Sequence, residues 1–415
     1  MRKISCADNT GLRALPARAI VRALADAAAR WTDADFPPRV RAAAAIGARL
    51  GYTMPVIDYA LDRLFAGITV DAVSAAIVDE LGSLACLDGF VERSGRPPAW
   101  ARGAGAVTIV SSDTTIGVAI APLIFALAAK CAVTVKDRAD ALVAAFAETL
   151  GEERPELAAA TDARAWTGGD DAVEAEALGA AGVVVAFGNG DALRAIRARC
   201  ASDATFVPFG HRTSAGYMSA AALSGDIGAL ARGIARDALL YDGDGCLSLH
   251  LLFVERATGA AQERFIDALV RACTANAIEF PAGTRSPARA AQAGAYAAAA
   301  AFRAANGSGR VLRAPDGAWT IVVDPPAGDL PPFGAGVIPL VFVDGPAGAS
   351  AFVSGHELPL QALGVATVDA DAIALAQRLG AVRVTAFGEM QNPPLAGHHG
   401  GRARIADFIR WIDRA

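Results

Sequence analysis

Residues Tyr241 to Val254, YDGDGCLSLHLLFV, place a single cysteine between a Gly/Asp turn and an apolar run. Two readings of Cys246 are open. Free cysteine is among the most buried residue types, so it suits a small core hydrophobe. Alternatively, a thiol at a loop-to-strand junction, behind the permissive backbones of Gly243 and Gly245, can lie in a cleft with its own N–H aimed at a developing oxyanion. The other five cysteines, Cys6, Cys86, Cys131, Cys200 and Cys273, are scattered and form no CxxC pair. Neither a disulfide framework nor a zinc site is expected from that spacing. No metal is expected from histidine either, because His398 and His399 are adjacent in a Gly-rich loop and the remaining three are isolated.

Three further stretches carry phosphate-type chemistry in principle. Lys136 and Arg138 follow the apolar run AVTV and suit either a 2′-phosphate or plain solvation at a strand end. Gly188 and Gly190 in FGNGD let a pyrophosphate approach a helix N-terminus. GNG by itself is only half of a GxGxxG fingerprint. Asp113 to Thr115 are residue types that cap helices.

The elements that must position these residues follow from composition and periodicity. With 415 residues, 53% apolar and 20% charged, the chain is long enough for two or more cores and has the balance of a globular enzyme. Its net charge of −5 gives no general attraction to nucleic acid or anionic membrane. The longest apolar run, Gly117 to Ala129, is short of the ~20 residues that span a bilayer and reads as a buried helix. MRKISCADNTGLRALPAR has polar residues throughout and does not combine basic residues with an apolar run and a cleavage site, so a reducing, cytoplasmic setting is expected.

The first hundred residues read as amphipathic helices, including ARAIVRALADAAARW and PPRVRAAAAIGARLG. RSGRPPAWARGAG has the Pro/Gly density of a connector. From Ala106 apolar strands alternate with helices: AVTIVS, Ile116–Cys131, AVTVK, Ala139–Leu150, Val173–Ala181, GVVVAFG, Asp191–Cys200 and TFVPFG. That alternation predicts parallel βαβ units in a doubly wound sheet, with ligands at strand C-termini. A second α/β pattern starts near His211 and runs through a helix at Asp226–Tyr241, a strand at Cys246–Val254, a helix at Gln262–Ala277, WTIVVD, GVIPLVFV, a helix at Asp369–Leu379 and VRVTAFG. In LSLHLLF, the leucines alternating with Ser248 and His250 predict a strand with one buried face. RAAQAGAYAAAAAFRAA has the composition of a helix.

The segment ARDALLYDGDGCLSLHLLFVE resembles the active-site stretch of the LuxC-like acyl-CoA reductases, a branch of the aldehyde dehydrogenase superfamily. VVVAFGNGDALRAIR is similar to that family's strand, glycine turn and helix. FVPFGHRTSAGY is similar to its fGpKrS segment, and FGEMQNPPLAGHHGG to its C-terminal G.mq.PPl...hDG signature. The four occur in family order between Ala106 and Gly401. The resemblance implies an aldehyde dehydrogenase-like α/β fold with two doubly wound domains. Residues 1–100 would form a helical N-terminal part of the cofactor-binding domain, 101–210 its dinucleotide-binding part and 211–385 the catalytic domain. Residues 386–415 would return to the cofactor domain or an oligomer interface.

The implied reaction is NADPH-dependent reduction of an acyl-CoA to an aldehyde through a thioacyl intermediate on Cys246, with NADH as the other possible reductant. Lys136 has the place of a ribose-binding lysine, Glu357 falls near a ribose-binding glutamate, and His211 and Arg212 lie in the segment that faces the cysteine. At the turn after the first strand the family has an oxyanion-holding asparagine; Thr114 stands there instead. Homo-oligomerisation is also implied. RSGRPPAW is a candidate arm for it.

Aldehyde-oxidising relatives carry an upstream glutamate that activates the hydrolytic water. The matching region here, FGHRTSAGYM, holds no acid, and none lies between Asp203 and Asp226. Reduction needs no such base. Two alternatives stay open: an acyl-phosphate reductase of the glutamyl-phosphate type, disfavoured by the acids of YDGDGC, and a catalytically weakened binding protein of the same fold.

Overall fold

The structure is a computed structural model describing residues 7–112, 115–137, 141–325 and 332–414. Two compact units form. One comprises Met1–Leu50, Ile57–Gly210 and Pro394–Ala415, and the other Gly51–Val56 with His211–Pro393. The return to the first unit thus comes at Pro394, a few residues beyond the 386 expected from sequence.

Helices Thr10–Ala14, Ala17–Arg30, Pro37–Leu50, Met54–Ala66 and Val70–Leu81, which belong to the first unit except for Met54–Val56, precede any described strand. Their apolar stripes meet at Trp31, which is fully buried, stacks on Phe65 at 4.7 Å and donates its indole N–H to Thr149 Oγ1. Buried aromatics with a satisfied polar edge anchor a core strongly. Arg39, also buried, is paid for by Asp62 at 2.6 Å and the Trp31 carbonyl at 2.8 Å.

The stretch read as a connector is instead a strand. Strands β1 (Val91–Arg93) and β2 (Arg96–Gly103) pair antiparallel, and the C-terminal strand Ile409–Asp413 pairs with the other side of β2. Pro97 and Pro98 fall at the start of β2, where a missing N–H is tolerated. Local composition read the prolines correctly as breakers, but the partner that completes the sheet lies at the far end of the chain.

Strands β3 (Ala106–Val110), β4 (Ala132–Lys136), β5 (Thr161–Arg164), β6 (Val183–Phe187) and β7 (Thr205–Phe209) form a wholly parallel sheet in the order β5-β4-β3-β6-β7. The order reverses between β3 and β6, the switch point at which doubly wound sheets bind dinucleotides. Helix Ile120–Ala128 is buried on nearly every side, which explains its continuous apolar run.

The second unit is built on β8 (Thr213–Met218), β9 (Leu249–Glu255), β10 (Arg310–Arg313), β11 (Thr320–Val323), β12 (Val337–Val343), β13 (Leu360–Val365) and β14 (Val384–Ala386). Their order is β10-β11-β12-β9-β8-β13-β14, and only β10 and β11 pair antiparallel. β9 is central and starts at Leu249, three residues after Cys246. Every residue from Leu249 to Val254 is buried, so the strand is covered on both faces rather than one. A parallel sheet with helices on each side requires that. No described helix is long and apolar enough to cross a membrane.

Candidate active site

Cys246 sits at the corner of a turn closed by the Ser248 N–H, which donates to the Gly245 carbonyl at 2.9 Å. A side chain at that position points away from the turn, and Cys246 is exposed, whereas Cys86, Cys131 and Cys273 are buried. The protein around it still pushes the thiol above its usual range. Its own backbone N–H and the Arg212 guanidinium act in the opposite direction. Desolvation by the surrounding protein is the larger effect.

The chain reaches this turn through three left-handed residues: Tyr241 (φ 59°), Asp242 (φ 54°) and Gly243 (φ 73°). Such a backbone costs about 1–3 kcal/mol at each non-glycine position, so it must be held from outside. Arg285 grips Asp242 through both carboxylate oxygens, at 2.8 and 2.6 Å, and donates to the carbonyls of Gly317 and Ala318. Arg289 pairs with Asp244, whose carboxyl burial raises to about 7 against the pull of Arg289. The two acids before the cysteine are therefore engaged with arginines, and the turn is less acidic than its sequence.

His250 and Ser214 bind the turn to the sheet. His250 Nδ1 accepts from the Ser214 N–H at 3.1 Å. Nε2 must then carry the ring proton and donate to the Gly243 carbonyl, also at 3.1 Å. Burial lowers the imidazole to about 4, so it stays neutral and committed to these two bonds. Ser214 Oγ donates to the Cys246 carbonyl at 2.8 Å and accepts from the Ala362 N–H at 3.2 Å.

The segment Phe387–Asn392 braces the same turn. Asp237, buried in helix Ile227–Leu239, accepts the N–H groups of Gly388 at 2.6 Å and Met390 at 3.1 Å. Desolvation raises this carboxyl to about 7 although both bonds favour its ionised form. Arg383 donates to the carbonyls of Met390, Glu389 and Asn392. Gln391 Nε2 reaches Ser248 Oγ at 2.8 Å. A Cβ at Gly233 would lie 2.7 Å from the Phe387 backbone, so only glycine lets the helix come this close.

Cys246, His211, Arg212 and Glu357 all precede the first residues of β9, β8 and β13. The second unit thus places all four at the amino ends of its parallel strands, which for Cys246 is the strand-entrance position read from the sequence. His211 is exposed and Arg212 half-buried. Glu357 is exposed, left-handed at φ 50°, and leads into β13.

In the first unit, Lys136 ends β4 and is buried. Its ammonium lies 3.7 Å from Glu174 and 5.1 Å from the centre of the Trp166 ring, and Glu174 also takes Arg199 at 3.0 Å. Gly188 and Gly190 flank Asn189, which caps helix Gly190–Arg199 by accepting from the Ala192 N–H at 2.9 Å. Asn189 also supplies the carbonyl for the Leu193 N–H, leaving the amides of Gly190 and Asp191 without an intrahelical partner. A Cβ on Gly188 would stand 3.3 Å from that of Ala192. Thr114 and Arg138 lie outside the described residues. In the HHGG segment His399 stacks on Phe209 at 4.3 Å, and burial, with Arg404 beside it, lowers its imidazole to about 3. No group of three His, Cys, Asp or Glu among the described residues is arranged to hold a metal.

Sequence reasoning missed Ser214, Asp237, His250, Arg285, Arg289, Gln391 and Glu174. Some signals were present: a lone acid on the apolar face of ARDALL and a histidine within a strand that is otherwise leucine. Such residues are buried only when paired, and their partners lie 7 to 154 positions away.

The family model of the acyl-CoA reductases (LuxC) matches residues 12–411. Among solved structures, the NAD-dependent benzaldehyde dehydrogenase from Corynebacterium glutamicum aligns at TM-score 0.71 and 17% identity, covering 98% of this chain and 88% of its own. Aldehyde dehydrogenase 21 from Physcomitrella patens, in complex with the reaction product succinate, aligns at TM-score 0.71 and 15% identity, covering 98% and 88%. Glyceraldehyde-3-phosphate dehydrogenase from Methanocaldococcus jannaschii, complexed with NADP, aligns at 0.69 and 12%, covering 97% and 90%. The fold is that of the aldehyde dehydrogenases. No curated protein sequence matches the chain significantly.

Proposed function

Because this chain belongs to the acyl-CoA reductase (LuxC) family, we propose that it reduces an acyl-CoA thioester to the aldehyde, with Cys246 as the nucleophile. The observation that carries this reading is the exposed thiol at the corner of the Gly245–Ser248 turn, with the backbone on either side of it hydrogen-bonded into the sheet. A fixed nucleophile lowers the entropic part of the barrier.

The Cys246 sulfur attacks the thioester carbonyl carbon, the bond from that carbon to the CoA sulfur breaks, and CoA leaves as the thiol after taking up a proton. The Cys246 N–H stabilises the oxyanion formed on the way, and the Thr114 hydroxyl is the proposed second donor. Arg212 favours the thiolate. His211 is the proposed proton carrier, since His250 is committed to Ser214 and Gly243. A bound reduced nicotinamide dinucleotide supplies the hydride that, on reaching the acyl carbon, lets the Cys246 thiolate depart and the aldehyde leave.

The first unit fits such a dinucleotide in its donor set. The switch point between β3 and β6, the crowded Gly188, the outward amides of Gly190 and Asp191, and Lys136 at the end of β4 all support it. Glu357 as a second ribose contact, a cytoplasmic setting and homo-oligomerisation belong to the same reading. The expectation of NADPH rests on Lys136 and Arg138.

The test is a panel of acyl-CoAs with NADH and NADPH, following nicotinamide absorbance in wild type and Cys246→Ala. Turnover of at least one acyl-CoA, abolished in the variant while dinucleotide binding persists, is expected. Oxidation of aldehydes at comparable rate without CoA would refute the reading.

A further inference from the structure

From the two hydrogen bonds of its hydroxyl we infer that Ser214 is a positioning residue for Cys246: it fixes the direction in which the sulfur leaves the backbone, and with it the rate of attack on the acyl carbon. This rests on the reading of Cys246 as the nucleophile.

A cysteine on a turn aims its sulfur through φ and ψ, and each of these is set by the peptide plane on one side of the residue. The plane before Cys246 is held by the Gly245 carbonyl, which accepts the Ser248 N–H at 2.9 Å. That bond lies inside the turn and moves with it. The plane after Cys246 is held by its own carbonyl, which accepts the Ser214 hydroxyl at 2.8 Å. The Ala362 N–H, 3.2 Å from Ser214 Oγ, can only donate, so the single hydroxyl proton goes to Cys246. Ser214 is fully buried, and bulk solvent does not compete for that bond.

The strand pairing explains why this side chain reaches the turn. Ser214 lies opposite Leu249 on β9 and Ala215 opposite Leu251, which leaves His250 as an extra residue between them. On the other side Thr213 lies opposite Leu360 and Ala215 opposite Leu363, so β13 also carries an extra residue at this level. An extra residue interrupts the ladder and re-aims the groups beside it. Here side chains take up the backbone donors at both interruptions: His250 Nδ1 accepts the Ser214 N–H at 3.1 Å, and the Ser214 hydroxyl accepts the Ala362 N–H. Ser214 stands where the two interruptions meet, and its hydroxyl carries the constraint of β8 and β13 to Cys246.

The direction of the side chain matters twice. The Cys246 N–H and Arg212 favour the thiolate against desolvation, and a turned cysteine loses the geometry of the first. Misplacing a reacting atom by about 1 Å costs up to about a hundredfold in rate.

The test compares wild type, Ser214→Ala and Ser214→Thr in acyl-CoA reduction, with rates counted per titratable Cys246 thiol so that unfolded protein does not enter. Ser214→Ala is expected to lower kcat by about tenfold to a hundredfold while the dissociation constant of the dinucleotide stays within about twofold. The pH profile of Cys246 alkylation by iodoacetamide is expected to move to higher pH in the same variant. Ser214→Thr keeps the hydroxyl on a side chain suited to a strand, and most of the lost rate should return. A kcat for Ser214→Ala within about twofold of wild type, or equal losses in the Ala and Thr variants, would overturn the inference and leave the reading of Cys246 standing. A wild type that turns over no acyl-CoA would sink both. Should Ser214→Ala unfold, Ser214→Cys, close in shape but a weaker donor, decides: a lowered kcat supports the inference and a wild-type kcat refutes it.

Discussion

His250 Nε2 donates to the Gly243 carbonyl at 3.1 Å while its Nδ1 receives the Ser214 N–H. One neutral ring thus fastens the left-handed approach to Cys246 onto β8. The position of the proposed nucleophile is thus set by residues other than Cys246 itself.

Among the described cysteines Cys246 is expected to be the thiol most reactive toward iodoacetamide, because Cys86, Cys131 and Cys273 are buried and Cys200 is half-buried. Peptide mapping after partial alkylation checks this. Labelling that favours any other described cysteine would contradict the assignment of the nucleophile.

Replacing His250 with Gln removes a group whose pKa is about 4 when folded and about 6.5 when unfolded. Between these values the unfolded chain binds the extra proton. Wild-type stability therefore drops as pH falls from about 6.5 to about 4, by at most roughly 3 kcal/mol, and is unaffected by this group at higher pH. Urea denaturation across that range should show the variant lacking this component, though destabilised at neutral pH by about 1–3 kcal/mol for an imperfectly satisfied buried group.

Arg285→Met should destabilise by roughly 3 kcal/mol, since it leaves the half-buried Asp242 carboxylate and two carbonyls without their donor. With the left-handed run at Tyr241–Gly243 no longer gripped, the turn moves. A fall in kcat exceeding any change in the dissociation constant of the dinucleotide is the expected kinetic signature.

Asp237→Asn should cost about 1–3 kcal/mol, because the two N–H donors of Gly388 and Met390 address separate oxygens and an amide offers only one. Slower acyl-CoA turnover should accompany it through the Gln391–Ser248 link. Thermal melting together with steady-state rates checks both parts. A melt unchanged from wild type would mean that Asp237 does not hold this segment.

Much of the frame was legible from periodicity. AVTIV, AVTVK and VVVAF are β-branched runs that became parallel strands, and the Ala-rich stretch became helix Pro287–Ala305. Seven strands of the described residues passed unnoticed: Val91–Arg93, Arg96–Gly103, Thr161–Arg164, Thr213–Met218, Arg310–Arg313, Leu360–Val365 and Ile409–Asp413. TSAGYM and LQALGV are rich in small or polar residues, and TDAR and RVLR are short and charged. They hold their places through neighbours rather than through intrinsic preference.

The sequence by itself determined the alternation of strands and helices, the segments resembling the acyl-CoA reductases, and Cys246 as the residue most suited to chemistry. These depend on local pattern and on residues close together along the chain. Only the tertiary structure decided that Cys246 is exposed, that the acids before it are engaged by Arg285 and Arg289, and that Lys136 is partnered by Glu174. Burial and charge pairing are set by residues distant in sequence, so the effective charge of a site becomes defined only when the chain has folded.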